Sequence, residues 1–189
     1  MKKVAVIWSS PNTDGLTASA KNEFVAGLGD RGAEVIEIHL NSKKLAHCMA
    51  CGDGWGKCRS DGVCVMKDDF AEIYKTLAEA DGIVFVSAVY WWEMTECFKA
   101  FFDRLRRCEG MKNHFLADKR CVIIACAGGT GRGVTDCLQQ FEQGLTHMRM
   151  RVYDRIPVER YNKDYMLPAL RPAGRTYAER LETGFDMYY

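Results

Sequence analysis

Apolar positions along this chain switch between two periods, and the switches outline its elements. Val4-Ala5-Val6-Ile7-Trp8 and Ile83-Val84-Phe85-Val86 are unbroken runs of the kind found in strands buried on both faces. Residues 120–125 and 150–156 read the same way, and residues 34–40, with Val35-Ile36-Glu37-Ile38 at their core, supply a further strand. Between the strands the period lengthens to that of a helix. Leu16, Ala20, Phe24 and Leu28 share one face over residues 16–28, and Gly29 and Gly32 end that helix. Asp68-Asp69 caps a helix to about residue 80, with Phe70, Ile73, Tyr74 and Leu77 facing inward. Cys97, Phe98, Phe101, Leu105 and Cys108 stand at helical spacing over residues 96–108, and residues 134–147 form another helix. Pro168 and Pro172 predict a break, with the last helix starting after them at residue 175 and running to 183.

Strand–helix alternation repeated five times predicts an α/β domain: a parallel sheet with helices on both faces, over residues 1–189 as one unit. In such sheets ligands bind beyond the carboxyl ends of the strands, near the topological switch point. Three unusual segments leave such ends. The first, residues 9–17, is a polar loop between strand and helix. Its backbone N–H groups and the hydroxyls of Ser9, Ser10, Thr13 and Thr17 suit an anion, and no lysine or arginine lies in it. An ordinary capped turn is the other reading of the same residues. The second, residues 88–95, places Tyr90, Trp91 and Trp92 in a row, flat apolar surface for a planar heteroaromatic ligand, or cover for a helix or a subunit contact. The third, Gly128-Gly129-Thr130-Gly131-Arg132-Gly133, lets backbone approach a ligand closely. It lacks the G-x-G-x-x-G dinucleotide fingerprint, because position 134 is Val. If the first, third and fourth strands are neighbours, the three segments meet.

Composition narrows the partners. The net charge of +1 gives no reason to expect nucleic acid or an anionic membrane. No apolar stretch approaches a membrane span, and nine cysteines without a signal peptide predict a reducing cytoplasm. Four cysteines crowd into residues 47–66 as Cys48-x2-Cys51-x6-Cys58-x5-Cys64, a long functional loop. They suit a [4Fe–4S] cluster, a zinc ion, or a metal-free thiol loop. Cys97, Cys108, Cys121, Cys126 and Cys137 read as small apolar core residues, with Cys126 set apart because it immediately precedes the glycine segment. The four histidines form no ligand or triad spacing and read as structural or exposed. Asp103-Arg104 reads as an ion pair at a helix end, and Arg106-Arg107 as a solvated face.

Over residues 1 to about 133 the chain resembles the NADPH-dependent FMN reductases. Ser9-Ser10-Pro11 with Gly15 and Thr17 is similar to that family's Gly-Ser-Pro-Arg-x-x-Gly-x-Thr phosphate loop. Ala88-Val89-Tyr90-Trp91, followed by Phe98-Lys99-Ala100-Phe101-Phe102-Asp103-Arg104, is similar to its Pro-Val-Tyr-Trp…Lys-x-Phe-x-Asp-Arg segment. The cysteine loop, running into Cys64-Val65-Met66-Lys67-Asp68-Asp69-Phe70, resembles the iron–sulfur flavoprotein branch, although that branch has a compact Cys-x2-Cys-x2-Cys start.

The resemblance implies a flavodoxin-like, five-stranded parallel sheet of order 2-1-3-4-5 and an FMN site. By position, Ser10, Asn12 and Thr17, aided by Ser9 and by the backbone of Gly15 and Leu16, hold the phosphate. Ala88, Val89, Tyr90 and Trp91, with Met94 and Thr95, line the isoalloxazine, and Ala127, Gly128 and Gly129 close its far edge. The family's arginine is Asn12 here, its proline before Val-Tyr is Ala88, and its glycine after Tyr-Trp is Trp92. The implied activity is transfer of electrons from NAD(P)H through FMN to a quinone, another aromatic acceptor or a protein, without a catalytic side chain. A second reading is an electron-transfer protein with a [4Fe–4S] cluster on Cys48, Cys51, Cys58 and Cys64; a redox or ligand sensor is a third. A homodimer or homotetramer is expected, with Trp91, Trp92 and residues 185–189 as candidate contacts.

Overall fold

The computed structural model describes residues 1–183. The chain runs β1 (Lys3–Ser9), α1 (Leu16–Gly29), β2 (Glu34–His39), α2 (Lys57–Ser60), α3 (Phe70–Glu79), β3 (Gly82–Tyr90), β4 (Glu93–Met94), α4 (Glu96–Glu109), β5 (Arg120–Ala127), α5 (Val134–His147), β6 (Arg151–Glu159) and α6 (Lys163–Thr183). Five strands are parallel in the order β2-β1-β3-β5-β6, the flavodoxin-like arrangement. The sixth, β4, pairs antiparallel with the end of β3. Sequence periodicity does not reveal so short a strand, and residues 88–90, read as a loop, extend β3.

The central strands alternate sides with period two, and this divides the core. Ala5, Ile7, Ile83, Phe85, Cys121 and Ile123 pack on one face with α3, α4 and α5. Val4, Val6, Trp8, Val84, Val86, Val122 and Ile124 pack on the other with α1 and α6. Cys97 is half-buried, and Cys108, Cys121, Cys126 and Cys137 are buried as small apolar residues. Burial pushes the Cys108, Cys126 and Cys137 thiols up to about 12, so they are protonated at neutral pH.

The predicted break at Pro168 and Pro172 is absent: both lie inside α6. Packing outweighs the lost N–H donors. A Cβ on Gly27 would collide with the Arg171 carbonyl, and one on Gly174 with the Phe24 carbonyl, so α1 and α6 cross at backbone contact. Tyr177, fully buried on α6, takes the Ile83 N–H at 3.0 Å and donates to the Arg120 carbonyl at 2.9 Å, which pins the helix to β3 and β5. No helix among the described residues is long and apolar enough to cross a membrane. Residues 185–189 lie outside the described residues.

Candidate functional site

The strand register places the three segments side by side. Ser9 is level with Ser87, and Ser87 with Ala125. The chain leaves β1, β3 and β5 along one edge, as the strand order requires.

The first segment splits into a brace and a cradle. Ser9 is fully buried, and its hydroxyl is hydrogen-bonded to Thr95, to Asn41 at 3.0 Å and to the Cys97 thiol at 3.1 Å. Thr95 is buried too; it takes the Phe98 N–H at 3.4 Å as the cap of α4 and gives its own N–H to Ser87 at 3.2 Å. Ser9 and Thr95, both expected to contact the ligand, therefore tie β1, β3 and α4 together and offer no open surface.

The cradle comprises Ser10 to Thr17. The Asn12 N–H points to the Ser10 hydroxyl at 3.3 Å, and Asn12 Oδ1 takes the Asp14 N–H at 3.2 Å, an Asx turn. The Asn12 side chain lies over Gly15, where a Cβ would sit 3.0 Å from Nδ2. Helix α1 then starts with no side-chain cap and no acidic residue in its first turn. Its leading N–H groups thus keep their capacity for an anion, with Ser10 and Thr17 beside them. His39, outside the expected site, supports this loop: it stacks on Trp8 at 3.8 Å, and Nε2–H donates to the Ser10 carbonyl at 2.9 Å.

The second and third segments share an open cleft of about 290 Å³, lined by Val89, Trp91, Trp92, Ala127 and residues 129–132. Val89 faces Met94 and Tyr90 faces Glu93 across a hairpin whose two-residue turn is Trp91-Trp92. Both turn residues have positive φ, 49° and 69°, the type I′ geometry that matches strand twist. Trp91 is 87% exposed and Trp92 45%. Met94, expected to line the ligand, is buried in the core beneath the hairpin, on the same face as its partner Val89. Ala88 and Val89 are half-buried at the end of β3. A Cβ at Gly133 would meet the Trp92 Cα at 2.6 Å, so the glycine segment closes directly on the hairpin. Gly128 and Gly129 have nothing within 4 Å of a would-be Cβ and leave the cleft open. Cys126 is buried near the end of β5, just before the glycine segment.

The four cysteines of the long loop, joined by Cys108 of α4, line a single small cavity of about 20 Å³. Among the described residues, no three histidine, cysteine or acidic side chains converge to hold one metal ion. Two arginines shape the cavity, neither as expected. Asp103 pairs with Lys99 at 2.7 Å, leaving Arg104 for Asp68, because successive helical residues point apart. Arg104 holds the Asp68 carboxyl well below the usual range, at about 2. Arg107 is half-buried and engaged: Nη1 donates to the Gly54 carbonyl at 2.6 Å and its guanidinium lies 4.5 Å from the Trp55 ring. This contact folds the stretch between Cys51 and Cys58 onto α4.

Comparison with known proteins agrees with this layout. An iron–sulfur flavoprotein of Methanocaldococcus jannaschii is 29% identical over 192 residues, 94% of this chain and 96% of the relative. One of Archaeoglobus fulgidus is 32% identical over 105 residues, 56% of this chain and 46% of that protein, so the chain spans about half that relative's length. The solved NAD(P)H:quinone oxidoreductase of Methanothermobacter marburgensis superposes with a TM-score of 0.72 over 99% of each chain, at 16% identity, a likeness of fold. The family model of the NADPH-dependent FMN reductases matches residues 2–160. With that match and the flavodoxin-like topology, the chain belongs to the NADPH-dependent FMN reductase family, a family of flavin oxidoreductases.

Proposed function

We propose that this protein binds FMN across the carboxyl edge of its sheet, takes electrons from NAD(P)H and passes them to a quinone, another aromatic acceptor or a protein. The observation that carries the reading is the uncapped start of α1, beside Ser10 and Thr17, on the same sheet edge as the open Trp91–Gly129 cleft. A phosphate suits the first site and a flat ring system the second. When bound, FMN supplies the electron exchange with the nicotinamide and the acceptor. The residues do the rest. The leading N–H groups of α1 and the hydroxyls of Ser10 and Thr17 hold the phosphate, and Asn12 shapes the loop where the family has a cation. Val89, Tyr90 and Trp91 offer the ring a wall, and Ala127, Gly128 and Gly129 let backbone reach its edge. The exposed Trp91 supports completion of this cleft by a second copy of the chain.

FMN titration tests the reading. Wild-type protein quenches FMN fluorescence and oxidises NADPH or NADH in the presence of a quinone. Thr17→Ala weakens FMN binding by roughly tenfold or more, the worth of one hydrogen bond to a charged group. A wild type that neither binds FMN nor oxidises nicotinamide would falsify it.

A second reading rests on a separate observation: Cys48, Cys51, Cys58 and Cys64 border one cavity that also holds a buried arginine. In a [4Fe–4S] cluster each iron takes one thiolate, so the ligands surround a volume instead of meeting at a point. The donor set fits that group, and the named relatives are iron–sulfur flavoproteins. The cavity, about 20 Å³, would have to widen on loading. The four cysteines would hold the cluster, which supplies one-electron transfer.

A further inference from the structure

The cysteine cavity contains a cation whose hydrogen-bonding capacity is not fully used. Arg104 is anchored on α4, and its side chain is only 1% exposed. A guanidinium has five N–H donors in a fixed fork. Four can be assigned: Nη1 serves Asp68 at 2.7 Å and the Ala46 carbonyl at 3.0 Å, and Nη2 serves Asp68 at 2.8 Å and the Cys64 sulfur at 3.4 Å. The fifth, on Nε, is buried and has no partner. A buried donor without an acceptor is costly and uncommon. Arg104 lines the cavity with Arg107 and five cysteines, and no carboxylate is in that lining. The wall therefore sets two guanidinium groups among sulfurs, with the Asp68 carboxylate paired to Arg104 from outside the cavity, surroundings that suit an anionic sulfur centre.

We propose that Arg104 is a positioning residue of the cysteine cavity, its Nη2 holding the Cys64 sulfur and its free Nε–H donating to the anionic iron–sulfur centre that the cysteines bind. This rests on the iron–sulfur reading above. The bidentate Asp68 pair fixes the fork, so the donors are aimed before the centre arrives. A donor and a positive charge beside the sulfurs stabilise the reduced, more negative form, so Arg104 raises the reduction potential.

Redox titration with iron analysis tests this on full-length protein, reconstituted without oxygen with ferrous iron, sulfide and FMN. Arg104→Lys keeps a charge but loses the fork. The expected result is wild-type iron and FMN content with a lower cluster potential, and a further drop in Arg104→Gln. Loss of iron from Arg104→Lys with FMN retained also supports the assignment, because the flavin cleft then reports an intact fold. Unchanged iron and unchanged potential overturn it. Loss of iron and FMN together also overturns it, by assigning Arg104 to the fold alone. A wild type that takes up no iron overturns the iron–sulfur reading itself, an outcome distinct from the others.

Discussion

Trp91 and Trp92 sit where a two-residue hairpin turn favours Asn-Gly, and both carry positive φ. The left-handed conformation costs an L-residue with a Cβ about 1–2 kcal/mol. Strain retained at the mouth of an open cleft points to use, since an Asn-Gly turn would relieve it. The double variant Trp91→Asn with Trp92→Gly is therefore expected to be more stable to urea by about 1–2 kcal/mol. It should bind FMN more weakly and turn over quinone more slowly. A variant that is no more stable, yet as active as wild type, would show that neither strain nor ring surface matters here. The sequence marks these tryptophans as unusual but does not indicate their φ values. Nor does it separate Ser9 and Thr95 from Ser10 and Thr17. All four are small hydroxyl residues near strand ends and all four are buried; only the hydrogen bonds of Ser9 and Thr95 to each other and to Asn41, Cys97 and Ser87 show that the first pair braces the fold.

Among the elements, α6 departs most from its sequence pattern. Two prolines at an interval of four predicted a break, yet Lys163–Thr183 is one helix. Its support is lateral. Gly27 and Gly174 bring α1 and α6 to backbone contact, and Tyr177 anchors the far end beneath Gly82. Gly174→Ala would drive a methyl group against the Phe24 carbonyl. Destabilisation by about 3 kcal/mol is expected in urea unfolding, at the upper end for overpacking. A change within about 0.5 kcal/mol, as at an ordinary surface position, would mean that the crossing is looser than drawn. Apart from α2 and β4, which the pattern did not predict, the other elements lie within a few residues of their predicted positions. Their signals are local: unbroken β-branched runs for the strands and four-residue spacing for α1, α3 and α4.

At the scale of the whole molecule, the sheet edge that gathers the three segments is also where a bound ligand would link elements distant in sequence. Ligand that binds only the folded state adds about 2.7 kcal/mol at one hundred times its Kd. FMN is expected to raise the melting temperature, and riboflavin, which lacks the phosphate, to raise it much less. Equal shifts would remove the α1 cradle from the site. The order of elements left few right-handed parallel topologies and made this meeting place conditional on β1, β3 and β5 being neighbours, and the family resemblance supplied the strand order that makes them so. The flavodoxin-like order, the three segments and the cysteine loop were all legible in one dimension, since each rests on local periodicity, on residue type or on a local motif match. The tertiary structure alone assigned Arg104 to Asp68 and the cysteine cavity, placed Cys108 beside the loop cysteines, turned Met94 into the core and left α1 uncapped. Those outcomes depend on which distant groups compete for the same donor or the same buried volume, and that competition is settled only when the chain packs.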